Sequence, residues 1–283
     1  MTTLVEALGF LPRLGKHEAR NDPGVKHFAD YVFAGTEVPE TYAAPAPVSF
    51  SWAHAIAQWT VALNNQLGDC VEAGGSHLLE CTYANAHPGS QLSIPDPYVE
   101  LAYEAFGYNP NAPLVNGQNP TDNGTDMTAF MSWFKNTGYP MPVSAEHPDG
   151  RAKILEFLSV NQNDPVEVRQ AIYLGGGVLF GAQMPLAAQN MVNAWTAPPA
   201  GPLNGIWAPG SWGGHCTYSP SYTFNWYGVV SWGMWLYMML GYANAYLDEC
   251  FVAIPTDWIG SKGTAPNGFN IEKLEAALAV DVL

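Results

Sequence analysis

Charge is what this chain of 283 residues has least of. Asp, Glu, Lys and Arg make up 12% of it, about half the usual share. Positive charge is scarcer still: 10 Lys and Arg stand against 25 Asp and Glu, for a net charge of -15. A surface of that sign repels phosphate backbones and anionic lipid, which sets aside nucleic acid as a partner. From Gln170 to Leu247 there is no charged residue at all, although six of the ten Trp and seven Tyr fall there. A free surface normally intersperses charges. The span reads either as a neutral Gly/Pro/Tyr/Asn-rich β region or as a face covered by protein partners, including further copies of the chain.

Other absences narrow the class further. The start, M-T-T-L-V-E-A-L-G-F, has no basic residue and no long apolar core, so no signal peptide is expected. Val229–Leu247 is uncharged and long enough to cross a bilayer, but it holds Gly233, Gly241, Ser231, Asn244 and three Tyr, without a basic flank. No membrane span is expected. The four cysteines, Cys70, Cys81, Cys216 and Cys250, show no C-x-x-C spacing. His77 and Cys81 form an H-x-x-x-C pair without further ligands, so neither a metal nor a cofactor is implied. Free thiols in a reducing setting, the cytoplasm or an assembled particle, fit better than disulfides.

What is present is core-forming. Hydrophobic residues are 48% and aromatics 13% of the chain, enough to bury a sizeable core. Residues 1–47 read as an N-terminal extension with a short helix near His27–Phe33, ending in the extended spacer E-V-P-E-T-Y-A-A-P-A-P-V. The main domain spans 48–260, and 261–283 read as a C-terminal amphipathic helix with Ile271, Leu274 and Leu278 on one side.

Within the domain, Asp69 and Glu72 form a capping-box pattern that starts a helix at Cys70. Further helices are expected over Asp96–Phe106 and Asp126–Asn136, the second stopped by Gly138, and after an Asp164 cap with Pro165 in the first turn. Beyond Gly177 the texture turns to strands: V-L-F-G-A, Trp212–Tyr218, Trp226–Trp232 and Cys250–Ile254. Helices first and strands later give an α+β fold in two lobes.

Cys70 would open its helix, where unpaired N–H groups and the helix dipole favour the thiolate that nucleophilic chemistry needs. Asp69 and Glu72 oppose that charge, so a base is required. His215, in S-W-G-G-H-C-T-Y at the start of a strand, is the candidate. Cys216 alternates to the opposite face of that strand and reads as core. Left to these residues alone, Cys70 reads first as an inert buried thiol, and His215 as a base or a satisfied strand histidine.

Set in order, these blocks resemble the papain-like cysteine peptidases. In that family a Gln precedes the nucleophilic Cys by six residues, a G-G-H opens a strand far downstream, and Asn-Ser-Trp-Gly follows. Here stand N-N-Q-L-G-D-C at Asn64–Cys70, G-G-H at Gly213–His215 and V-S-W-G at Val230–Gly233. The segments L-S-I-P-D-P-Y-V-E-L-A-Y, D-N-G-T-D-M-T-A-F-M-S-W-F-K-N-T-G and D-P-V-E-V-R-Q-A-I-Y-L-G-G-G-V-L-F-G are similar to the family's intervening blocks, so the likeness covers about residues 48–258. The resemblance implies a papain-like two-lobed fold with Cys70 as nucleophile and His215 as base. Asn64 falls on the oxyanion Gln, and Gln66 lies only four residues before Cys70. Val230 falls on the Asn that orients the His ring, and Asn225 in F-N-W-Y is a substitute orienter. Trp232 would shield the pair from water.

Two functions follow from the resemblance. The first is a hydrolase that uses a Cys70–His215 dyad on a peptide or related acyl bond. The second is a non-catalytic papain-fold protein in a multi-subunit assembly such as a bacteriophage particle, favoured by the Asn64 and Val230 departures and by the uncharged aromatic half.

Overall fold

A computed structural model of the chain describes residues 3–32, 46–259 and 264–268. The C-terminal helix expected over 261–283 falls almost entirely outside these residues. The early segments are α1 (Leu4–Leu8), α2 (Phe28–Val32) and the short β1 (Phe50–Ser51). The helical side follows with α3 (Cys70–Ala86), α4 (Asp96–Glu104) and α5 (Met127–Asn136), and then a ribbon of β2 (Tyr139–Pro140) and β3 (Arg151–Ala152). The sheet side has β4 (Ile154–Ser159), α6 (Pro165–Gly175), β5 (Val178–Met184) and β6 (Ala194–Trp195). It ends with β7 (Gly213–Tyr222), β8 (Trp226–Ser231), β9 (Met234–Met239), α7 (Leu240–Tyr246) and β10 (Leu247–Pro255). Seven strands run in the order β4-β10-β5-β7-β8-β9-β6, and β1 pairs off this path with β7.

Helix α3 lies against β7 and is the centre of the molecule. Its polar residues are buried yet partnered, as a fully enclosed helix requires. The Thr125 hydroxyl donates to Glu72, His77 Nε2 meets the Thr60 carbonyl, and the Ile94 N–H donates to Glu80. Burial pushes His77 down to about 4 and Glu80 up to about 7. Gly75 is required here, since a Cβ would stand 2.5 Å from the Phe130 ring. α6 covers the sheet from another side, packing on β5, β7 and β10. Its start is set as the sequence indicates: Asp164 accepts from the Val166 and Glu167 N–H groups, and Gly176 closes the end with φ 84°.

Several expectations change. The Asp69 side chain does not cap α3; it accepts from Asn64 instead, while Glu72 turns to Thr125, so no capping box forms. Apart from these changes, Val229–Leu247 forms the end of β8, a tight turn, β9, α7 and the first residue of β10. Among the described residues no helix is long and apolar enough to cross a membrane. The stretch 3–32, read as an extension, packs on the body: Leu4, Lys16, Phe28 and Tyr31 are all buried.

Candidate active site

Two elements bring the site together. The first turn of α3 presents Cys70, whose Sγ accepts a 3.3 Å hydrogen bond from the Cys216 N–H of β7. His215, one residue earlier on that strand, is fully buried. Its Nε2 meets Ser231 Oγ at 2.6 Å, and its Nδ1 has no hydrogen-bond partner. No hydrogen bond joins the ring to the thiol. The Trp232 indole stacks on the imidazole at 4.4 Å between ring centroids and 15° between planes. Trp232 and Gly233 both have positive φ, 52° and 73°, between the paired Ser231 and Met234. That is the signature of a two-residue hairpin turn, and a tryptophan in left-handed backbone is strained there. The strain places the indole over the histidine.

The side chain that meets the His215 ring lies one residue beyond Val230. Val230 pairs with Tyr218 and is buried in the core, whereas Ser231, on the other face of the strand, reaches the ring. Asn225 does not reach it: this exposed residue sits in the β7–β8 turn, where its N–H donates to Thr223 Oγ1 and its carbonyl accepts from Leu240. Ser231 stood within the V-S-W-G motif itself. The available signal was the alternation of strand side chains, which sets neighbouring residues on opposite faces.

Asn64 is buried just after two residues of left-handed backbone, Ala62 and Leu63. Its Nδ2 donates to the Leu67 carbonyl and to Asp69 Oδ1, both at 3.2 Å. The amide that alignment assigned to an oxyanion is thus turned inward. Cys70, as the first helical residue, has an N–H with no acceptor inside the helix.

Burial governs the ionisation of this centre. It pushes the Cys70 thiol up to about 12, aided by Glu72 and Asp69, and the His215 imidazole down to about 3. Burial also lifts Glu72 to about 8 and Asp69 well above the usual carboxylate range, with Glu72 and Asp122 adding to the Asp69 effect. In this form the thiol and the imidazole are both neutral. Among the described residues no group of acidic, His or Cys side chains is arranged to hold a metal.

The cause of that burial is the chain's own N-terminal segment, which sequence reasoning missed. Arg13 donates from its N–H to the Asn64 carbonyl and accepts from Trp232 Nε1. The Gly15 and Lys16 N–H groups both donate to the Gly214 carbonyl, and the Gly15 carbonyl accepts from Thr125 at 2.7 Å. The Gly15 N–H also lies against the Cys70 thiol. Residues Arg13–His17 therefore run as a segment between the two sides, bridged at Lys16 to Thr125 and lying across Cys70 and Gly214. The fit is backbone on backbone: a Cβ at Gly15 would stand 1.6 Å from the Gly68 carbonyl oxygen.

Solved structures of similar shape decide the fold. Xylellain, a cysteine protease from Xylella fastidiosa, matches with a TM-score of 0.61 at 13% identity, over 86% of this chain and 96% of its own. The fold is papain-like. ProCathepsin B S9 from Trypanosoma congolense matches with a TM-score of 0.55 at 13% identity, covering 90% of this chain and 89% of that one. Procathepsin L 3 of the Tenebrio molitor larval midgut follows at 0.54 and 12%, covering 88% and 78%. No protein-family model and no curated protein matches the chain. At such identities the papain-like fold is what the likeness shows, and chemistry has to be argued from the residues.

Proposed function

We propose that this chain is a latent cysteine hydrolase of the papain-like fold, held closed by its own N-terminal segment. One observation carries the reading. A thiol at a helix N-terminus accepts from a strand N–H, while the adjacent imidazole keeps Nδ1 free and has Nε2 held by a hydroxyl. With Ser231 accepting from Nε2–H, Nδ1 is the lone-pair nitrogen and serves as the base.

Once the segment leaves, water reaches the pair and both pKa values move towards ordinary ones. His215 Nδ1 then takes the Cys70 proton, and the thiolate adds to a substrate carbonyl carbon. Collapse of the adduct breaks the acyl bond, the leaving group departs with the proton from His215, and a thioester remains. Water, deprotonated by the same nitrogen, cleaves the thioester to the acid and regenerates the thiol. The Cys70 N–H is one oxyanion donor; the Asn64 amide is the second, on exchanging its contact with Asp69. The substrate is a peptide or related acyl compound. Two of the similar structures are proforms by name, in keeping with a latent state.

The test is hydrolysis of a panel of peptidyl-coumarin amides by Gly15→Ala, whose added methyl group clashes with Gly68 and expels the segment. Turnover by this variant, little by the parent and none after adding Cys70→Ala or His215→Ala is the expected result. An inactive Gly15→Ala protein whose Cys70 is nonetheless open to alkylation would refute the proposal. That outcome would leave the non-catalytic assembly reading, which has its own support in the exposed apolar residues Ile206, Phe224 and Tyr237 of the charge-free span.

A further inference from the structure

The side chain of Lys16 is completely enclosed, and its ammonium group is fully engaged. It donates to Glu249 Oε1 at 2.9 Å, Asp248 Oδ2 at 3.0 Å and the His17 carbonyl at 2.7 Å. Gln183 Nε2 steadies the same Asp248 oxygen at 2.7 Å. The aliphatic stem crosses Gly181 of β5, where a Cβ would stand 2.3 Å from Lys16 Cε. Burial alone would strip the charge from the amine, but the two carboxylates outweigh it and hold the Lys16 pKa above its usual value. This recess opens immediately beside Gly15, the residue that lies on the Cys70 thiol. Behind it the acidic wall continues: Asp248 and Glu249 also line a cavity of about 660 Å³ with Asp22, Asp30 and Glu167.

We propose that the recess filled by Lys16, floored by Asp248 and Glu249 and kept open by Gly181, is the specificity pocket of the site and takes a basic side chain of a polypeptide substrate. The inference rests on the reading of Cys70 as the reactive thiol and adds to it the class of substrate. A leucine in the recess would leave two enclosed carboxylates without a cation, and a glutamate would add a third negative charge. The segment occupies the pocket as an internal mimic of that side chain. The recess recognises the side chain whichever way the substrate backbone runs.

Binding can be measured apart from catalysis. In full-length Gly15→Ala/Lys16→Ala/Cys70→Ala protein the added methyl group expels the segment, the pocket is vacated and turnover is impossible. Calorimetric titration with acetyl-Gly-Lys-Gly-amide is expected to give an affinity at least about tenfold above that for the Leu and Glu peptides, since charge-assisted hydrogen bonds are made only by lysine. Adding Glu249→Gln alone, or Asp248→Asn with Glu249→Gln, is expected to erase the preference, with circular dichroism confirming that each variant is folded. Equal affinity for the Lys and Leu peptides, or a preference that survives in any folded carboxamide variant, overturns the pocket. Lysine-selective binding by this protein together with no hydrolysis by Gly15→Ala would instead retain the pocket and refute the hydrolase.

Discussion

Replacing Lys16 with alanine in the otherwise native chain puts a number on the closure. In the closed form the change removes a fully enclosed cation and leaves the Asp248 and Glu249 carboxylates, with side chains 21% and 9% exposed, without a counter-charge. Breaking a buried ion pair from one side costs about 3–5 kcal/mol. With the segment released, the carboxylates meet water, so most of that cost falls on the closed state alone. A shift of about 3 kcal/mol raises the open fraction by roughly 10²-fold. The assay is the rate at which iodoacetamide alkylates Cys70, followed by mass spectrometry with buried Cys81 and Cys250 as internal references. Labelling through transient opening scales with the open fraction. The expected result is Cys70 labelling faster by about two orders of magnitude while the references stay slow. An unchanged Cys70 rate in a variant whose melting temperature has fallen would show that Lys16 stabilises the fold without closing the cleft, and would refute the reasoning.

Other outcomes follow from neighbouring contacts. Ser231→Ala removes the partner of His215 Nε2 and should cost about 1–2 kcal/mol of stability. In the Gly15→Ala background it should lower turnover on the order of tenfold or more, with nitrogen NMR showing loss of the single tautomer and Ser231→Thr restoring it; an unaltered tautomer would contradict the orienting role. Glu72 has a folded pKa of about 8 against an ordinary 4.5, so its proton favours the folded state. That contribution is complete below pH 4.5, declines as pH rises and is gone above about 8. It amounts to on the order of 5 kcal/mol. Glu72→Gln should therefore gain stability relative to the parent as pH rises towards 9, and parallel denaturation curves across that range would refute the assignment.

Much of the fold was legible because its signals are local. Asp126 and Asp164 cap their helices as the sequence implies, and the runs beginning V-L-F-G-A and S-W-G-G-H-C sit on β5 and β7. The N-terminus of α3 was placed correctly from Asp69 for a reason that proved different, because a carboxylate beside a helix start can serve tertiary contacts instead of the cap. β4 and β9 were missed: one mixes Glu156 into an apolar run, and the other, M-W-L-Y-M-M, carries no alternation to distinguish strand from helix. Cys70 and His215, singled out from their neighbours in sequence, stand on the facing elements α3 and β7. Ser231 was passed over in favour of Asn225 because alignment by residue type ignores which face a strand presents. The N-terminal segment left no local mark, since L-G-K is an ordinary tripeptide until Gly68, Gly214 and Glu249 close around it.

The segment across the cleft is joined to the rest of the body by a stretch, His17–Gly24, that is exposed throughout. A protease cutting at Arg20 would sever the covalent link and leave every contact of Arg13, Gly15 and Lys16 in place. The nicked molecule would then be a complex of two polypeptides, and release of the smaller one would follow mass action. Cleavage and opening are therefore separate events here: after a cut, dilution sets the free fraction of sites, and the liberated peptide can return as a competitor.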